Sequence, residues 1–245
     1  MALKEQMEQQ GNTLFRYRGV LPIALLPFTL YYHYLQFPQL STWVLTYENY
    51  LWICLLVVLF GQLIRFYTLG YVAPGTSGRN TSKQVADTFN SKGIYSMVRH
   101  PLYVGNIFMG LGVAMLSYNF LFVIIYILLF WVYYERIMFA EESYIRSKFS
   151  GAMEEWLSKT PTFIPSFSNF KRPNSSFNWK KIIRQEKNGF VAAFAIFWMA
   201  YTLKRVMVDA SPIFEFNFYS IGLITSVVCY GLIKILTKRK VLSAK

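Results

Sequence analysis

Residues 93–112 read Gly93-Ile-Tyr-Ser-Met-Val-Arg99-His100-Pro101-Leu-Tyr103-Val-Gly105-Asn-Ile-Phe-Met-Gly110-Leu-Gly112. This stretch brings two cationic or titratable side chains to the threshold of an apolar run. Proline is well tolerated at the first position of a helix, where its missing N–H would be unpaired anyway. Pro101 therefore predicts that a polar loop ends at His100 and that a membrane helix begins there. A helix N-terminus presents free N–H groups and a partial positive charge, a natural place for a ligand carboxylate or phosphate. Gly105, Gly110 and Gly112 follow inside the helix, where each costs roughly 1 kcal/mol relative to alanine. Either close helix packing or close approach of a ligand to bare backbone offsets that cost. Packing is the commoner use of glycine in spans.

Working outward, the 245-residue chain is 54% hydrophobic and 19% aromatic, with a mean hydropathy of +0.31. Such a composition excludes an ordinary soluble domain and indicates an integral membrane protein. Six apolar stretches approach the ~20 residues needed to cross a bilayer core: Val20 to Phe37, Tyr50 to Leu69, Pro101 to Tyr118, Phe120 to Met138, Gly189 to Leu203 and Phe218 to Leu236. The predicted fold is all-α, a multi-span helical bundle of about six transmembrane helices. The tight Ser117-Tyr118-Asn119 link makes the third and fourth spans an antiparallel hairpin.

Lysine and arginine set the orientation. They are absent from Pro38 to Asn49, whereas Arg65 to Arg99 has five, Glu135 to Lys187 ten, and the last turn and tail five. With Lys4, Arg16 and Arg18 near the N-terminus, six spans with both ends in the cytoplasm gather the basic-rich segments on one face. The net charge of +13 flanks the apolar spans, so it fits anionic headgroups and not a nucleic-acid partner. The first nineteen residues lack the pattern of a cleaved signal peptide. Cys54 and Cys229 lie in apolar runs, with no disulfide or metal site indicated.

The chain divides as a single membrane domain with three parts: residues 1–100, N-terminal spans and a loop; 101–165, a core hairpin and following helix; 166–245, an interfacial segment and two C-terminal spans. Ala73 to Asn80 reads as loop and Ser82 to Phe89 as a possible short helix. The fourth span is expected to continue as one helix to about Lys159 and to stop before Pro161. Beyond it, Phe163, Phe167, Phe170, Phe177 and Trp179 are candidate interfacial anchors.

On that extended helix Met138, Glu141, Ile145, Phe149, Ala152 and Trp156 share one face. Glu141 thus stands on an apolar stripe, suited to a buried partner such as a ligand ammonium. Glu142 lies a hundred degrees around, near Arg146, where an ordinary surface ion pair is expected. Because a two-span hairpin brings its ends together, Arg99, His100 and the Glu141 region should be neighbours.

The pattern Gly-Ile-Tyr-Ser-x-x-Arg-His-Pro-Leu-Tyr-x-Gly, followed by Gly110-Leu111-Gly112, Glu141-Glu142, Phe149-Ser150-Gly151 and Thr160-Pro161-x-x-Ile164-Pro165, resembles the isoprenylcysteine carboxyl methyltransferase and phospholipid methyltransferase superfamily. The likeness covers about Gly93 to Pro165. It implies an integral membrane enzyme using S-adenosylmethionine, with a cofactor pocket on His100, Tyr103, Gly105, Gly110, Gly112, Glu141 and Glu142. It also implies a lipid or isoprenylated acceptor in the bilayer. The residues themselves suggest catalytic roles for Arg99, His100 and Glu141, in a chemistry that asks for no metal. The superfamily's Phe-Gly is Phe149-Ser150-Gly151 here, and its following tyrosines are Met153 and Trp156.

A cofactor whose sulfonium already activates its methyl group asks mainly for alignment and exclusion of water. Glu141 or Glu142 would bind its ammonium, His100 and the backbone near Pro101 its polar end, and Arg99 an anionic acceptor. The acceptor group stays open among carboxylate, phosphate and amine. Two other functions remain open: an NADPH-dependent reductase like the membrane sterol reductases, disfavoured by Asn106 and the Glu-Glu pair, and a non-catalytic membrane carrier or scaffold.

Overall fold

Apolar runs of span length must satisfy their backbone internally, so the chain resolves into helices. The computed structural model of the chain describes residues 2–36, 46–72 and 88–242. The helices among them are α1 (Leu3–Arg16), α2 (Val20–Leu35), α3 (Tyr47–Tyr71), α4 (Pro101–Met115), α5 (Phe120–Lys148), α6 (Ser150–Lys159), α7 (Trp179–Met207) and α8 (Phe218–Lys238). Among the described residues the sole extended pairing is the isolated bridge between Gly93 and Lys171. Four helices, α3, α5, α7 and α8, are long and apolar enough to cross a membrane. At 16 and 15 residues, α2 and α4 are shorter than the bilayer core, so the expected six spans comprise four long helices and two short ones. The loop and short helix expected between Ala73 and Phe89 lie outside the described residues apart from their last two positions.

The structure departs from the sequence reading in three places. The polar N-terminal tail is the helix α1. The fifth apolar stretch, expected over Gly189 to Leu203, is the middle of a 29-residue helix. The helix after the fourth span does not run unbroken to Lys159: it ends at Lys148, and α6 starts after Phe149, whose φ of −133° and ψ of 45° break the helical path. The single-face stripe expected from Met138 to Trp156 is therefore cut at Phe149. The expected stop before Pro161 is observed, with Thr160 extended as the C-cap of α6.

The chain forms two compact units. One comprises Met1–Leu21, Leu63–Ile107 and Ile127–Asn178. In it α1 lies on α5: a Cβ at Gly11 would fall 2.1 Å from the Arg136 carbonyl oxygen, so glycine alone permits this contact. Tyr133 Oη donates to the carbonyls of Leu14 (3.2 Å) and Tyr17 (2.8 Å), satisfying groups that the end of a helix leaves open. The same unit stitches residues 93–100 to the segment after α6. Gly93, with φ of +62°, donates its N–H to the Lys171 carbonyl at 2.8 Å. Ser96 Oγ accepts from Lys171 N (2.9 Å), Ser166 N donates to Met97 O (3.0 Å), and Trp156 Nε1 donates to Tyr95 O (2.8 Å).

The other unit comprises Pro22–Gln62, Phe108–Tyr126 and Trp179–Lys245. Its core is Leu51, Cys54, Leu55, Val58, Leu116, Ala193, Phe197, Ala200 and Tyr219. The α4–α5 turn has Tyr118 at φ 52°, and Asn119 Oδ1 caps α5 by accepting from Phe122 N at 2.9 Å. At the start of α8, Asn217 Oδ1 likewise accepts from Tyr219 N and Ser220 N. Buried His33 sets Nδ1 2.6 Å from the Leu116 carbonyl and Nε2 3.1 and 3.2 Å from Tyr47 Oη and the Ala200 carbonyl.

Candidate functional site

At 29 residues α5 is roughly 44 Å long, well beyond the ~30 Å of a hydrocarbon core. Its apolar run ends at Met138, so its last turns carry Glu141 and Glu142 out of the span. Phe130, Tyr134, Ile137 and Met138 are buried, and Glu141 continues that inward stripe. The start of α4 faces these turns: the His100 carbonyl accepts from Tyr103 N (3.0 Å) and Val104 N (3.1 Å), opening the helix at Pro101.

The expected juxtaposition is present. His100, only 8% exposed, has Nε2 2.9 Å from Glu142 Oε1 and Nδ1 3.6 Å from Glu141 Oε2. Burial alone would lower the imidazole pKa, but the two carboxylates outweigh it and hold His100 above its ordinary value, favouring the imidazolium. Burial would raise the Glu142 carboxyl, yet His100 and Arg99 hold it below the usual carboxylate range. Glu142 is consequently not the surface residue expected: Arg146 pairs with Glu154 instead, at 2.8 Å in the open. The break at Phe149 provides the reason, because it lets α6 carry Glu154 to Arg146. Glu141 retains 23% side-chain exposure beside His100.

Arg99 has a different place from the one expected of an acceptor-binding residue. Its backbone N–H donates to Pro161 O (2.9 Å), its Nε to Thr160 O (2.6 Å) and its Nη2 to Leu157 O (2.7 Å), while Nη1 lies 3.4 Å from Glu142. Those carbonyls close the C-terminus of α6, where unpaired oxygens and the negative end of the helix dipole favour a cation. Arg99 thus ties α6 to the start of α4 and holds Glu142 against His100.

Tyr103 stacks on the His100 ring at 5.8 Å and meets Tyr134 at 4.6 Å. Beneath them runs a polar chain that the sequence reading missed: Asn106 Nδ2 donates to Tyr134 Oη (3.0 Å), and Arg65 Nη1 donates to Asn106 Oδ1 (2.6 Å). The available signal was an arginine within the apolar run of α3. A cation deep in a span costs at least ~2.5–3.5 kcal/mol on insertion scales, so such residues tend to be functional. Gly105 is buried on the same stretch of α4. Gly110 and Gly112 belong to the other unit, where a Cβ would strike Tyr126 Oη at 2.0 Å and the Cys54 carbonyl at 2.5 Å. For both, close packing accounts for the glycine. Met153 is fully buried, and Trp156 bonds the Tyr95 carbonyl, so the two departures from the superfamily pattern point inward.

Fold and site together define a polytopic helical membrane protein whose α4–α5 ends present paired carboxylates around a histidine. Residues 52–147 match the isoprenylcysteine carboxyl methyltransferase family, which bears out the resemblance to that superfamily where the two overlap, over Arg99, His100, Glu141 and Glu142; the match begins before Gly93, taking in Arg65, and ends before Phe149. Among individual relatives, the protein-S-isoprenylcysteine O-methyltransferase of Schizosaccharomyces pombe is 33% identical over 43% of this chain and 45% of its own length. The Saccharomyces cerevisiae enzyme of that name is 31% identical over 46% and 47%, and the Rattus norvegicus one 27% over 54% and 51%. The chain thus spans about half the length of these curated relatives. No solved structure matches it.

Proposed function

We propose that this protein is an S-adenosylmethionine-dependent methyltransferase that esterifies a carboxylate carried by an isoprenylated cysteine, at a site on the cytoplasmic face of the membrane. The observation that carries the reading is His100 buried between Glu141 and Glu142, inside the segment matching the methyltransferase family. The relatives' names supply the acceptor class, and the distribution of lysine and arginine supports the cytoplasmic face.

The donor set fits an organic cation. Glu141, partly exposed and touched by both His100 at 3.6 Å and the Tyr103 side chain, presents its carboxylate to an ammonium. Glu142, gripped by His100 and Arg99, keeps the imidazole from turning. Tyr103 and buried Gly105 offer an aromatic face and bare backbone on α4 for an adenosyl body. When bound, S-adenosylmethionine supplies a methyl group whose bond to sulfur breaks as an acceptor carboxylate oxygen forms the new C–O bond, the electron pair remaining on sulfur and no proton needing removal. A carboxylate is already ionised at neutral pH, so His100 serves to position and charge the site and is not needed as a base. The buried aromatic floor excludes water.

The test is transfer of labelled methyl from S-adenosylmethionine to N-acetyl-S-farnesylcysteine by the purified protein in detergent or nanodiscs. Base-labile methyl ester formed by wild type and abolished by Glu141→Gln is the expected result. Binding of NADPH with no methyl transfer would replace this reading with the reductase.

A further inference from the structure

Resting on the reading above that the site faces the cytoplasm, we propose that Lys171 and Arg172 bind the headgroups of anionic phospholipids, and that a bound headgroup holds the methyl-donor site in its binding form. The segment that carries them, residues 161–178, is pinned at both ends to the ends of spans. Pro161 O accepts from Arg99 N at 2.9 Å, just before α4, and Asn178 N donates to Gly70 O at 2.9 Å, near the end of α3. Phe177 meets Tyr71 there at 4.9 Å. The segment therefore crosses this unit at the depth where a bilayer changes from hydrocarbon to headgroup.

Its side chains sort by chemistry as that depth requires. Phe163 stacks at 4.4 Å on Trp131, a half-exposed residue of the α5 span, so the segment begins against a face that lipid covers. Ile164, Phe167 and Phe170 follow, 82%, 77% and 45% exposed, apolar surface suited to the membrane interface. Lys171 and Arg172 come next and are exposed. From Thr160 to Asn178 the chain has no acidic residue, and Glu155 of α6, within electrostatic reach of Lys171, is paired with Lys159 at 2.7 Å. Bare apolar side chains beside two adjacent cations complement an anionic leaflet: acyl chains cover the first, and headgroup oxygens meet the second. An acidic protein segment would answer the cations but leave Ile164 and Phe167 bare.

The same segment reaches the donor site through its backbone. Gly93 N donates to Lys171 O at 2.8 Å, Lys171 N to Ser96 Oγ at 2.9 Å and Ser166 N to Met97 O at 3.0 Å. Residues 93–100 end in Arg99 and His100, so a segment held by the membrane lowers the entropy lost when the donor orders that loop. On the side of Lys171 these bonds use main-chain atoms, and substitution of its side chain leaves them in place.

The experiment compares wild type with two double variants: Lys171→Gln with Arg172→Gln and, as a control for bulk charge, Lys238→Gln with Arg239→Gln. One readout is retention of phosphatidylserine over phosphatidylcholine by the detergent-solubilised protein in native mass spectrometry. The other is S-adenosylmethionine affinity by calorimetry, in nanodiscs of phosphatidylcholine alone or of its equimolar mixture with phosphatidylserine. Wild type should prefer the anionic lipid by about tenfold or more and bind the donor about fivefold or more tightly in the mixed discs. High salt should shrink that gain. The Lys171 and Arg172 double variant should lose both effects while matching wild type in neutral discs, and the control should keep them. Equal donor affinity in the two kinds of disc, or the same loss in both double variants, would overturn the proposal. Absence of donor binding by wild type in either disc would instead fail the reading of the site, and the coupling would fall with it.

Discussion

The chain has two histidines, both buried, and their surroundings are opposite in kind. His33 is enclosed by neutral oxygens: the Leu116 and Ala200 carbonyls and the Tyr47 hydroxyl. His100 is enclosed by charge, with Glu142 at 2.9 Å and Glu141 at 3.6 Å. The first arrangement cross-links α2, α3 and α7 to the residue that follows α4. The second gathers more charge than one imidazole needs, and Glu141 remains partly open. One residue type thus serves as a structural staple in one unit and as the anchor of a candidate site in the other. What differs is the chemistry of the groups around it.

The comparison breaks most sharply at His100. Removing one partner of a largely buried ion pair costs roughly 3–5 kcal/mol, so His100→Ala should reduce S-adenosylmethionine affinity and methyl transfer by about a hundredfold or more. Calorimetry and the labelled-methyl assay check this. His33→Ala should act differently. It leaves the Leu116 carbonyl without its side-chain partner, while Tyr47 Oη still donates to the Ala200 carbonyl at 3.0 Å; the cost of about 1–3 kcal/mol corresponds to a fall in melting temperature of several degrees, on the order of 4–8 °C. Donor affinity of the folded protein should stay near that of wild type, as melting curves read beside calorimetry will report.

Much of the site was legible because its signals are local. Pro101 after Arg99-His100 marks the helix start, the Ser117-Tyr118-Asn119 turn folds the hairpin, and together they bring His100 to Glu141 and Glu142. The remainder depends on partners distant in sequence. Helical periodicity ranked Glu141 above Glu142, yet the break at Phe149 takes Arg146 to Glu154 and leaves Glu142 to His100 and Arg99. Periodicity carries no record of such a break; the small residues of Ser150-Gly151 were its one local sign. Arg99 was read as a ligand-binding cation because nothing in the sequence says that the carbonyls of Leu157 and Thr160 will need a donor. Hydropathy reads the polar α1 as a tail because it buries only Gly11, against a backbone carbonyl, and Phe15, too little apolar surface to register as a helix face. Arg65 was counted only as a positive charge for orientation.

Two finer measurements sharpen the contrast. Arg99→Lys keeps the charge but loses the fork that bonds two carbonyls of α6 at once. It should destabilise by about 1–2 kcal/mol and weaken donor binding only modestly, since Glu142 keeps its bond to His100. Thermal unfolding with and without donor separates these effects. The smallest effect expected is in the pH profile of stability. Because His100 is held above its ordinary value of 6.5, its contribution is complete below that pH and is lost as pH rises through the elevated folded value. Glu142 is held below its ordinary 4.5, so its contribution is present above that pH and is lost as pH falls through the depressed value. Melting temperature should therefore peak between about 4.5 and 6.5. His100→Ala should flatten the alkaline limb, and His33→Ala should lower the curve while keeping that limb.

The most direct test of the charged cluster as the methyl-donor site is calorimetric titration of the detergent-solubilised protein with S-adenosylmethionine, run beside Glu141→Gln and His33→Ala of verified fold. Saturable micromolar binding by wild type and His33→Ala, weakened about tenfold or more in Glu141→Gln through loss of a charge-assisted contact, is the predicted result. Equal binding by wild type and Glu141→Gln, or no binding by any of the three, would contradict it.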